Sequence, residues 1–408
     1  MADRATDLWY PTLIQAHGHA MIIGWGASMI FGIALHFLPR LRGQKLIAPS
    51  VVPWAFYLFA SGTILRVFGQ PFLAWYGFSE KSLLVPILFG GVSLQTAGIV
   101  VILILLFLTF QKGPPIQVKK GFLQIVPPLA IAGLAFFLAQ ASWIWVMLST
   151  GTNNLPLFPH ALNRTSIEIL LFGAVVAISF AMSARLFPLS FRIQHASQPL
   201  LWTASFFLLI GVLLTATNGF ALQLPAAEGI AALAFSCGVG FGIPAIRVWH
   251  KRTPFPGKKR IYRLSRDPAG LGVLSAYCWA AVAAIFLLFF SLQTFENIFP
   301  GSPVLGKDLA LHGMGAGFMT ILIISVGWNM LPGFAGGTPR GQKWFIGALI
   351  LANLAALLRI IPGTILFFTG SEIGRTIYYP TLATAGIFGF FAIIFFARAL
   401  AVSWKKEK

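Results

Sequence analysis

The chain has 408 residues, of which 57% are hydrophobic and 10% charged, with a mean hydropathy of +0.83. So apolar a composition with so few charges excludes an ordinary soluble protein. The formal net charge of +19 would suit a nucleic-acid binder, but the basic residues alternate by loop, which excludes that reading and points to a polytopic membrane protein.

Apolar runs of about twenty residues, the length a helix needs to cross a bilayer, predict about eleven spans. In chain order they lie near 12–38, 51–69, 85–110, 122–148, 165–187, 199–220, 227–249, 269–292, 308–331, 344–368 and 377–402. The expected fold class is an all-α bundle forming a single integral membrane domain over 1–408. The first span is too long, and too poor in a basic flank or small-residue cleavage site, to be a removable signal peptide. Loops of one parity carry Arg40, Arg42 and Lys45, then Lys112, Lys119 and Lys120, then Arg185 and Arg192. The same parity continues with the group from Arg247 to Arg266, then Arg340 and Lys343, and ends at the tail Lys405, Lys406 and Lys408. Opposite loops show only Arg4, Lys81, Arg164, Lys307 and Arg375. This positive-inside pattern places the N-terminus outside and the C-terminus in the cytoplasm. The long basic loop reads as a topological anchor that contacts anionic lipid, with partner docking as the alternative. Cys237 and Cys278 fall inside spans and read as packing residues.

An internal repeat organises the spans. Shifting the chain by 293 residues superimposes His19 on His312, Met21 on Met314, Gly24 on Gly317, Leu38-Pro39 on Leu331-Pro332, and Leu65-Arg66 on Leu358-Arg359. A weaker copy at a shift of 149 matches Gly24 with Gly173 and Pro39 with Pro188, and sets Glu168 against His19. The three pseudo-repeats lie near 12–148, 160–292 and 308–402. They are parallel, which suggests three arcs of about four helices, the last short by one.

The opening stretch "QAHGHAMIIGWG" places His17 and His19 at the head of an apolar helix. With the orientation above, His17, His19, His160, His312, Arg66 and Arg359 all fall in the outer half of the bilayer. His36, His195 and His250 fall at the cytoplasmic side. Ionisable groups inside spans are costly and mark functional candidates. One reading is a haem or metal centre, because imidazole ligates haem iron and suits copper, and arginine pairs with haem propionates. The other is hydrogen-bonding glue between helices. His17 and His19 point roughly 200° apart on one helix, so the repeat selects His19 and His312 as axial partners that would face each other across one porphyrin. His17 and His160 are candidates for a second centre. Gly24, Gly26, Gly315 and Gly317 either admit a flat macrocycle or permit close helix packing. Met21 and Met314 read as packing residues. Glu168, in a span without an obvious basic partner, is a candidate proton-handling carboxyl. Trp25, Trp143 and Trp145 read as interface belt or core.

These motifs resemble the NnrS family of bacterial membrane proteins. "HGHAM" is similar to that family's His-x-His-Glu-Met, "LPRLRG" to its following Pro and Gly loop, "SARLFPLSF" to its Gly-Gly-Arg-x-x-Pro-Phe-Phe segment, and "LHGMGAGFMT" and "ALLR" to its late helices. Ala20 stands where the family has Glu, and "WNMLPGFAGG" where it has a Gly-His-Thr-Gly loop, which weighs against copper more than against haem. The resemblance implies haem b, and copper, in a bacterial inner membrane, with a diatomic ligand such as nitric oxide and a redox partner. Its function would be binding, sensing or clearing that ligand, or electron transfer; as an enzyme it would be an oxidoreductase. Three arcs with outer histidines are more distantly similar to the catalytic subunit of haem-copper oxidases and nitric oxide reductases. Two rival classes are a redox subunit of that kind and a secondary transporter with parallel repeats. Glu168 is the only evident carboxylate within the spans away from their margins, which disfavours proton pumping.

Overall fold

The computed structural model describes residues 2–76, 84–115, 119–153, 158–250, 252, 267–296 and 298–404. Lys81, most of the basic loop (253–266) and Lys405, Lys406 and Lys408 lie outside the described residues. Among the described residues the chain is helical, without strands, and eleven helical segments are long and apolar enough to cross a membrane. They match the expected spans in number and order. Large apolar side chains such as Trp54, Phe68, Trp75, Phe137 and Phe206 are more than half exposed, as expected of helices whose outer faces meet lipid rather than water.

The chain divides into two compact units: residues 1–119 with 136–170, and residues 120–135 with 171–408. The first contains α1 (Ala2–His19), α2 (Ser28–Arg42), α3 (Val52–Tyr76), α4 (Leu84–Gln111), the latter part of α6 (Val126–Asn153) and α7 (His160–Glu168). The second contains the short α5 (Lys119–Leu123) apart from its first residue, the start of α6, and α8 (Val176–Ser190), α9 (Gln198–Thr217) and α10 (Pro225–Ile246). It continues with α11 (Pro268–Glu296), α12 (Pro303–His312), α13 (Thr320–Phe334), α14 (Gln342–Thr369) and α15 (Glu372–Trp404).

In the first unit α3 and α4 approach at backbone distance. A Cβ built on Gly62 would stand 2.3 Å from the Gln95 nitrogen, and one on Gly98 would stand 2.5 Å from the Phe59 nitrogen. Only glycine permits this approach, and it sets Gln95 of α4 beside Thr63 of α3. In the second unit α11 packs against α10, α12 and α13. There Gly317 receives the Trp279 ring, whose Cγ would stand 2.6 Å from an added Cβ, so close helix packing accounts for this glycine.

A backbone irregularity recurs. Straight α-helix gives way to π-helix over Ala20–Ala27, Ile169–Val175 and Gly313–Met319. These stretches begin immediately after His19, Glu168 and His312, the three residues superimposed by the sequence shifts. Each is followed by a fifteen-residue α-helix carrying a proline: Pro39, Pro188 and Pro332. π-Helix is rare and concentrates at functional sites.

Candidate functional site

In the first unit the polar centre is built on four helices. His19, at the end of α1, is fully buried, and its Nε2 lies 2.7 Å from Gln95 Oε1. An amide oxygen only accepts, so Nε2 donates and Nδ1 is the open ring nitrogen, with no hydrogen-bond partner among the described residues. Thr63 donates to the same Gln95 oxygen at 3.5 Å. The imidazole lies against Trp143 of α6, with ring centroids 4.1 Å apart and planes tilted by 31°.

Arg66, on α3, is 1% exposed. Its guanidinium carbon lies 3.6 Å from the Trp143 ring centroid and 4.8 Å from that of Phe158. Among the described residues its Nε and Nη1 have no hydrogen-bond partner, and neither do Gln95 Nε2, Trp143 Nε1 or either polar atom of the Gln140 amide. Gln15, one helical turn before His19, donates to the Phe158 carbonyl at 2.9 Å and accepts from the Phe158 nitrogen at 3.2 Å and from Gln70 at 2.6 Å. Gln15 thereby fixes the segment that enters α7.

The second unit builds its counterpart differently. His312 Nδ1 lies 2.9 Å from the Asp308 carbonyl oxygen and 3.3 Å from its Oδ1. A carbonyl oxygen only accepts, so Nδ1 donates and Nε2 is the nitrogen left for another partner. The Asp308 carboxylate also receives Arg359 at 2.7 Å and the Tyr378 hydroxyl at 3.2 Å, and Arg359 bonds Tyr378 as well. Each unit thus joins one of the two His and Arg pairs that the 293-residue sequence shift superimposes. The first does so through an aromatic ring and the second through a carboxylate.

The remaining candidates take other places. His17 and His160 are exposed on α1 and at the head of α7. Glu168 is buried but has a basic partner, Arg164, at 2.9 Å one turn earlier, which corrects the expectation that its span offers none. Asp308, at the margin of the span expected over 308–331, is a carboxylate at the heart of the second cluster. Trp143 is core and Trp145 exposed. Cys237 and Cys278 are both free thiols. Among the described residues no three His, Cys, Asp or Glu side chains converge as a metal-binding group.

Gln15, Gln70, Gln95 and Gln140 are not among the residues that the sequence marks by charge or metal-ligating chemistry. The available signal was amide side chains set among apolar residues at these positions, and the alignment of Gln15 with Asp308 at the same shift that pairs the histidines. Compared with models of known protein families and with curated proteins, the chain matches none.

Proposed function

We propose that this protein is an integral membrane haem protein of NnrS type that binds, senses or clears nitric oxide or passes electrons. In this reading it is a multi-pass protein of the bacterial inner membrane with its N-terminus outside. One observation carries it: a fully buried histidine and a fully buried arginine share the Trp143 ring, each with open nitrogen atoms, where buried polar groups are ordinarily satisfied. A macrocycle carrying carboxylates would answer both needs.

The residues present fit such a group. His19 and His312 each keep one ring nitrogen open while another residue fixes the ring, which is how ligating imidazoles are oriented. Arg66 offers unused N–H groups to a propionate. When bound, haem would supply an iron able to hold a diatomic ligand or carry one electron. The protein's part is to hold the imidazoles, neutralise carboxylate charge and exclude water. Copper has less support, since the described residues gather no group of three ligands of its usual kinds.

The test is an optical spectrum with metal analysis on protein purified from haem-replete cells. A Soret band lost in His19→Ala and His312→Ala, but retained in His36→Ala and His250→Ala, is the expected pattern. No Soret band would end the haem reading, and a band unaffected by both ligand substitutions would end the assignment of ligands. Nitric oxide added to the reduced protein would separate an iron with an open position from one closed by two histidines.

A further inference from the structure

The two arginines of the repeat differ in one respect. Arg359 has a counter-ion within the chain, the Asp308 carboxylate at 2.7 Å. Arg66 has none among the described residues, although it is the more deeply buried. At the position aligned with Asp308 the first copy carries Gln15, which is neutral and occupied by Phe158 and Gln70.

Removing a cation from water costs several kcal/mol even after relaxation. A desolvated cation–π contact returns about 2 kcal/mol, so the contacts with Trp143 and Phe158 leave part of the charge uncompensated. His19 Nδ1, Gln70 Oε1 and Gln140 Oε1 are open acceptors in the same unit, but at the arginine itself the open polar atoms are donors: Arg66 Nε and Nη1 and the Nε1 of the Trp143 ring it lies against. Such a set suits a group that only accepts hydrogen bonds. We propose that the first unit binds one anion, a carboxylate or small inorganic oxyanion, against Arg66, in the role that Asp308 fills within the second unit. The anion is either a carboxylate of the proposed haem or a free ion, so the site does not depend on the haem reading.

The experiment follows thermal unfolding of the full-length, haem-free protein in detergent at constant ionic strength, titrated with formate, nitrate or haemin. Wild type should gain several degrees in unfolding midpoint with at least one of these probes. Arg66→Lys, which keeps the charge but loses the planar fork, should need roughly ten times more ligand. Arg66→Met should show no anion-dependent gain, and without ligand it should unfold at a higher temperature than wild type because an uncompensated charge is gone. Should Arg66→Met fail to fold, the weakened response of Arg66→Lys decides. A gain with formate or nitrate identifies a free ion as a ligand, and a gain with haemin alone identifies the carboxylate of the cofactor. Formate binding without haemin binding would leave the anion site standing and the haem reading lost. Haemin binding that is identical in wild type, Arg66→Lys and Arg66→Met, with no response to formate or nitrate, would overturn the anion site and leave the haem reading intact. Wild type insensitive to all three probes would overturn it as well.

Discussion

The Arg66 guanidinium carbon stands 3.6 Å from the centre of the Trp143 ring, and that ring also lies against His19. One indole therefore contacts both His19 and Arg66, and its own Nε1 has no hydrogen-bond partner among the described residues. Trp143→Ala should destabilise the protein by about 3–5 kcal/mol, the range for truncating a buried large aromatic residue. Denaturant unfolding followed by circular dichroism would measure it; a loss below about 1 kcal/mol would mean that the ring is not a keystone.

Gln95 supplies the acceptor for His19 Nε2. Gln95→Leu leaves that N–H buried and unsatisfied, at a cost of about 1–3 kcal/mol, and frees the imidazole to rotate. Thermal unfolding should show the loss, and the His19 resonance of ring-labelled protein should broaden. An unchanged midpoint and line shape would contradict the assigned role.

Asp308 and Arg359 form a pair that should be interdependent. Asp308→Asn removes the counter-charge and is expected to cost about 1–3 kcal/mol, below the range for a fully buried pair because Asp308 keeps some exposure. Arg359→Met added to Asp308→Asn should restore part of the loss. A double-mutant cycle that shows simple additivity would count against a direct pairing.

Gly24 and Gly317, which the sequence shift superimposes, should respond oppositely. A Cβ on Gly317 would press into Trp279 at 2.6 Å, whereas one on Gly24 meets Thr63 Cγ2 at 3.6 Å, an ordinary contact. Gly317→Ala should therefore cost about 1–3 kcal/mol through overpacking. Gly24→Ala should be neutral or gain up to about 1 kcal/mol from helix propensity. Equal effects on the unfolding midpoints would refute the packing difference.

The architecture was readable because the bilayer imposes a length and polarity rule on each helix, and eleven apolar runs satisfied it. The ionisable residues were equally conspicuous: His19, Arg66, His312 and Arg359 stand out against apolar surroundings. Their partners were harder to read. Glutamine carries no charge, so Gln15 and Gln95 register in a hydropathy profile only as slight dips, and their function depends on which helices meet. Asp308 lay close enough to a span margin to pass for a boundary residue. Helical wheels also assume a constant angular step, which fails where π-helix begins after His19 and His312.

That change of step at three matching places also bears on ancestry. A residue inserted into a membrane helix rotates everything beyond it, so three separate insertions at one register would each have needed compensation elsewhere. If the three helices descend from one, the insertion is older than the copying. The side chains just before it, Gln15 with His19, Arg164 with Glu168 and Asp308 with His312, are then later variations on an inherited joint: a neutral amide, a salt bridge and a carboxylate, each placed one turn ahead of the same bend in the ladder of hydrogen bonds.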